Sequence, residues 1–141
     1  MTENLDIIDG IIVGRVRPHI YAFSTNTVPN YLKVGDTYRP VSRRLQEWRT
    51  YYPDLEQHFQ GSASVSDDIY FRDHAVHTFL IQDRGRPRLT RADMLSTEYF
   101  SNEFFGDADV ADLEAAIEDI LQDHTENLGR YAFYDAAERL P

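Results

Sequence analysis

The order of parts between His19 and Arg44 constrains the fold more than any other feature of the chain. His19-Ile20-Tyr21-Ala22-Phe23-Ser24 and Tyr31-Leu32-Lys33-Val34-Gly35 are short runs rich in β-branched and aromatic residues, joined by the small polar residues and proline of Thr25-Asn26-Thr27-Val28-Pro29-Asn30. That pattern predicts two antiparallel strands and a hairpin connection. The first strand begins within residues 10–24, behind a shorter one. Pro40 then suits the first turn of a helix, and Val41, Leu45 and Trp48 recur at spacings of four and three to about Thr50, before Pro53 stops the stripe.

Alternation fixes the faces of the hairpin. If Ile20 and Ala22 point to the core, Tyr21 points the other way, and Lys33 does the same relative to Leu32 and Val34. The phenol and the amine then stand side by side on paired strands. Lys33 is the only lysine of the chain. A lone amine between two apolar strand residues, just before a glycine, is a placed group rather than a solubilising one.

Further along, residues 55–65 supply a third strand. Ser66, followed by Asp67 and Asp68, reads as a helix N-cap, and Ile69, Asp73, Val76, His77 and Leu80 carry that helix to about Gln82. Arg84-Gly85-Arg86-Pro87-Arg88-Leu89-Thr90-Arg91 forms a basic loop, and the aromatic-rich run 97–105, with Tyr99, Phe100, Phe104 and Phe105, packs on the sheet. Residues 107–124 form the clearest helix, with an acidic first turn and Val110, Leu113, Ala116, Ile117, Ile120 and Leu121 on one face. The expectation is an α+β domain with a small three-stranded antiparallel sheet flanked by helices. Its core spans 1–106, and an acidic helical extension, 107–141, packs on it.

A chain of 141 residues, 42% hydrophobic, buries one core. It has no cysteine, so disulfides and thiolate metal sites are excluded and any metal must be held by oxygen or imidazole. The acidic start Met-Thr-Glu-Asn-Leu-Asp and the absence of a long apolar run point to a soluble cytoplasmic protein. The net charge of -10 argues against a nucleic-acid partner until its distribution is read. Residues 10–53 hold seven basic side chains against two acidic ones, Asp36 and Glu47, whereas residues 93–141 hold thirteen acidic against two basic. A basic working face and an acidic C-terminal part follow.

His19-Ile20-Tyr21, Lys33-Val34-Gly35 and Arg44 resemble, in order and spacing, the motifs of the GIY-YIG nuclease family, with His19 in place of the first glycine. The resemblance covers about residues 17–105 and implies a metal-dependent endonuclease that hydrolyses DNA phosphodiesters. Under it, Tyr21 orients or deprotonates the attacking water, Lys33 eases that deprotonation or holds a phosphate oxygen, and Arg44 stabilises the transition state. Asp73 and Glu103 compete as the carboxylate for Mg2+ or Mn2+: Asp73 stands on the helix after the third strand, and Glu103 opens a late Glu-aromatic-Phe segment. His77 shares a helical face with Asp73, and Glu98 is a third carboxylate. Trp48 replaces a histidine common in the family, which removes a second acid or base there and makes it core or a base-stacking ring.

Arg43, Arg86 and Arg88 are expected to contact the phosphate backbone. Such a chain would be the N-terminal nuclease module of a larger DNA-processing protein, with a helicase or restriction partner domain supplying affinity. Two other classes compete with it: a catalytically weak DNA-binding module, and an acidic protein-interaction adaptor built on 107–124. No Walker-type loop, nucleophilic serine motif or zinc-ligand spacing is present.

Overall fold

A computed structural model describes residues 17–90 and 101–136. The readings made for residues 10–16, Arg91, Glu98, Tyr99 and Phe100 lie outside them. Along the chain come β1 (His19–Ser24), β2 (Tyr31–Thr37), α1 (Val41–Trp48), β3 (Glu56–Ser62), β4 (Ile69–Tyr70), α2 (Asp73–Gln82), β5 (Phe104–Gly106), α3 (Val110–Glu126) and β6 (Tyr134–Asp135). The main sheet is antiparallel, in the order β3-β1-β2-β5. It has four strands where three were expected. The added one is the end of the aromatic-rich run, which pairs Phe104–Gly106 with residues 31–33 of β2.

Alternation along the hairpin feeds two cores. Ile20, Ala22, Leu32 and Val34, with Phe105 from β5, pack against Ala75, Val76, Phe79 and Leu80 of α2 and Leu113, Ala116 and Ile120 of α3. Tyr21, Phe23 and Phe104 face the other way, onto Val41, Leu45 and Trp48 of α1 and onto Tyr52. Both faces of the hairpin are therefore covered, so period-two alternation here separates two interiors rather than inside from outside. The acidic helix is a wall of the first core. Leu113, Ala116 and Ile120 of its apolar stripe are buried while Leu121 is exposed, and two of its carboxylates, Asp112 and Asp123, are buried as well.

The helix expected from Ser66 begins instead at Asp73. Ile69 and Tyr70 are drawn into a two-stranded pairing with Tyr134 and Asp135, a partner more than sixty residues away that no local pattern announces. Ser66 caps only a turn, accepting the Asp68 amide. The first turn of α2 is capped from another strand: the Asp36 carboxylate accepts the Asp73 amide at 2.9 Å and the Arg72 guanidinium at 2.7 Å.

At α3 the cap is local. Asp109 accepts the Asp112 amide at 2.9 Å while Asp112 accepts the Asp109 amide at 3.1 Å, a reciprocal capping box. Asp112 also takes Arg86 at 2.9 Å and so ties the basic loop to the acidic helix. Burial pushes the Asp112 carboxyl up, but the Arg86 hydrogen bond, the Asp109 amide and the nearby guanidinium charges outweigh it and hold its pKa below the ordinary range. An Asp112→Ala variant is expected to lose roughly 1–3 kcal/mol in urea unfolding at neutral pH. Because the folded pKa is depressed, that contribution is present above the unfolded value of ~3.9 and fades as pH falls below it. The gap between wild type and variant should therefore shrink in acid; a gap independent of pH would contradict this role.

Candidate functional site

Gly35 decides how the hairpin's polar groups sit. It lies directly opposite Tyr21, and Lys33 lies opposite Phe23, so the phenol and the amine are diagonal neighbours rather than the side-by-side pair expected. A Cβ on Gly35 would stand 2.7 Å from the Tyr21 hydroxyl and 3.0 Å from Lys33 Nζ. The glycine thus leaves the space into which both groups fold. Trp48, arriving from α1, closes it from above: its Nε1–H donates to the Tyr21 hydroxyl at 2.8 Å, and Lys33 Nζ lies 4.3 Å from the indole centroid. Arg44, one turn earlier on α1, places its guanidinium 5.1 Å from the same ring. Burial opposes the charge on Arg44, but its hydrogen bond to Glu47 and the adjacent Tyr21 hydroxyl raise its pKa above the ordinary value. Tyr21, Lys33 and Arg44 therefore converge on one indole.

The two carboxylates that competed in the sequence are neighbours in space. Glu103, the residue ahead of β5, bonds Lys33 Nζ at 2.5 Å and also interacts with Asp73 at the start of α2. Burial pushes the Asp73 carboxyl up to about 7, helped by the charges of Asp36 and Glu103 and by its hydrogen bond with Glu103. Glu103 goes the other way: burial raises it, but the Lys33 ammonium, His77 and Asp73 bring it below the ordinary carboxylate range. Of the two, Asp73 is the carboxyl that holds its proton to the higher pH. His77 donates Nε2–H to the Val34 carbonyl at 2.8 Å and is pushed down to about 4, chiefly by burial, so it is a neutral imidazole at pH 7. Among the described residues no three His, Asp or Glu side chains group as a metal cage.

The arginines divide. Arg88 lies over the Phe105 ring, 5.3 Å from its centroid, and its charge reaches His77, so it borders the site. Arg43 is exposed on α1 next to Arg44. Arg86, expected at the phosphate backbone, is engaged by Asp112, whose two oxygens accept from the Nε and Nη2 edge of its guanidinium. Sequence reasoning missed Asp36 and Glu47. They are the two acids of the basic stretch, and each is held by arginine: Asp36 by Arg72, Glu47 by Arg39 and Arg44. Their isolation among basic residues was the available signal.

Residues 18–127 match the family model of the T5orf172 domain. The chain belongs to the T5orf172 domain family. The match runs from the start of the hairpin through α3, and it corrects the resemblance to GIY-YIG nucleases, for which no model matches. Three short motifs carried that resemblance, and one of them already departed from it at His19. No curated protein and no solved structure matches the chain. T5orf172 domains are associated with nuclease or DNA-binding activity. In this T5orf172 domain no described helix is long and apolar enough to cross a membrane.

Two stability measurements check the geometry. Gly35→Ala should cost roughly 1–3 kcal/mol by overpacking, although its backbone suits any residue, and an unchanged melting temperature would contradict the fit of Tyr21 and Lys33 over Gly35. Asp73→Asn should behave in the opposite sense. A carboxyl with a raised folded pKa loses stability as pH rises from the unfolded value toward about 7, so the variant should gain on wild type above pH 7 and lose that gain near pH ~4.

Proposed function

We propose that this T5orf172 domain is a metal-dependent nuclease that hydrolyses DNA phosphodiester bonds. The observation that carries the reading is the meeting of Tyr21, Lys33 and Arg44 around Trp48, with the Asp73–Glu103 pair bonded to the same lysine. Arg44 offers a fixed positive charge and a planar fork for the phosphate oxygens whose charge grows during attack. Trp48 supplies the Tyr21 oxygen with a donor, which leaves the phenol's own O–H to donate to the attacking water or a phosphate oxygen. Lys33, wholly buried, acts by keeping Glu103 ionised and in place rather than by touching phosphate.

The donor set fits a magnesium or manganese ion. Two adjacent carboxylates that repel one another when both are ionised are what a hard cation uses when water and phosphate complete its shell. Bound there, such an ion would neutralise the scissile phosphate as a Lewis acid. Asp73 and Glu103 would hold it, Asp73 giving up its proton on binding. Arg43 and Arg88 would guide the backbone along either side.

A DNA-binding domain without chemistry is the second reading, favoured by the burial of Tyr21 and Lys33. Cleavage of plasmid DNA separates the two. With magnesium or manganese the wild type should cut, a chelator should stop it, and Glu103→Gln and Arg44→Ala should each slow it by roughly 10²–10³-fold. Binding without cutting under every metal tried would sink the nuclease reading and leave the second.

A further inference from the structure

The described surface carries five large exposed hydrophobic side chains, and two of them flank α1. Tyr38 precedes the helix and Tyr51 follows it, with 62% and 52% of their surfaces accessible. Tyr51 is the more informative. The Tyr51 amide bonds the Trp48 carbonyl at 3.0 Å, so the helical turn continues past α1 and sets Arg44, Trp48 and Tyr51 at i, i+4 and i+7 along one face. The Tyr51 ring meets the Trp48 indole at 6.2 Å in a T-shaped contact. A row of guanidinium, indole and phenol thus leads from the buried pocket to the surface, and only its last ring is open to solvent.

We propose that Tyr51 is a base-stacking residue and that the substrate presents unpaired bases next to the phosphate held by Arg44. The proposal deepens the nuclease reading and rests on the same pocket. A base within a duplex already has neighbours on both faces and must be unstacked before a protein ring can meet it, so an exposed ring stacks at least cost on a base that is unpaired. Electrostatics points the same way. A duplex carries one negative charge per about 1.7 Å of axis, twice the density of a single strand, and a chain of net charge -10 is repelled less by the single strand. Local attraction comes from Arg43, Arg44 and Arg49, which share the α1 segment with a single acid, Glu47, itself engaged by Arg39 and Arg44. Positive charge interleaved with an exposed ring is the pattern that tracks a single strand without reading its sequence.

The test is fluorescence anisotropy with a labelled single-stranded oligonucleotide and the same sequence as a duplex, in chelator so that nothing is cut. Wild type should bind the single strand more tightly; Tyr51→Ala should weaken that binding on the order of tenfold and leave the duplex unchanged, and Tyr51→Phe should keep it. Equal affinity for both forms, or an unchanged Tyr51→Ala, overturns the proposal. Tyr51 is exposed, and circular dichroism of the variant excludes misfolding as the cause. Cleavage is read separately in magnesium and in manganese. Tyr51-dependent single-strand binding with no cutting supports stacking while refuting the nuclease reading, and cutting of duplex and single strand alike by Tyr51→Ala does the reverse.

Discussion

Lys33 places an ammonium group where water does not reach, and the charges around it follow from that. An unpaired buried ion costs several kcal/mol, so the fold must bring a carboxylate to it. Glu103 is that carboxylate, at 2.5 Å. Burial first, then the charges of Asp36 and of Glu103, disfavour Asp73 as a further anion and push its pKa up to about 7. Asp36, the third acid of the group, stays satisfied through Arg72 and the α2 amide it caps. The outcome is a pocket in which Lys33 and Arg72 each hold a carboxylate and Asp73 is the acid left with the raised pKa.

The fourth strand and the pocket share one pairing. β5 is only three residues long, yet its pairing with β2 delivers Glu103 to the flank of Lys33, with the Val34 amide bonding the Glu103 carbonyl at 2.9 Å. Phe104 and Phe105, on opposite faces, lock the strand into both cores. Substituting either would loosen the hold on Glu103 as well as the packing. Fold stability and site geometry are therefore coupled through one short edge strand, and Gly35 supplies the space in which that coupling is made.

Elements whose signal is local were legible in the sequence. The hairpin, the Val41-Leu45-Trp48 stripe and the acidic amphipathic helix each carry their periodicity within a dozen residues, and each forms, the acidic helix as Val110–Glu126 rather than 107–124 and with Leu121 exposed rather than on the buried face. Alternation also placed Tyr21 and Lys33 on one face. What it could not supply was the partner of that face: only packing shows that α1 covers it, which turns a surface pair into a buried one. The start of α2 and the existence of β5 depend on pairings with distant segments, so a serine followed by two aspartates looked like a cap and was not. Arg86 read as a free cation because the chain gives no hint that Asp112 folds onto it. The three motifs that pointed to another family are short, and a match over residues 18–127 outweighs them.

The proposed chemistry requires Asp73 and Glu103 to form one cation site beside the buried Lys33. A crystal structure grown with Mn2+, located by its anomalous scattering, tests this directly. The expected result is an anomalous peak between the two carboxylates, with Lys33 still bonded to Glu103. A well-ordered ion bound elsewhere, or an Asp73–Glu103 pair unchanged and metal-free at concentrations that support cleavage, would contradict it.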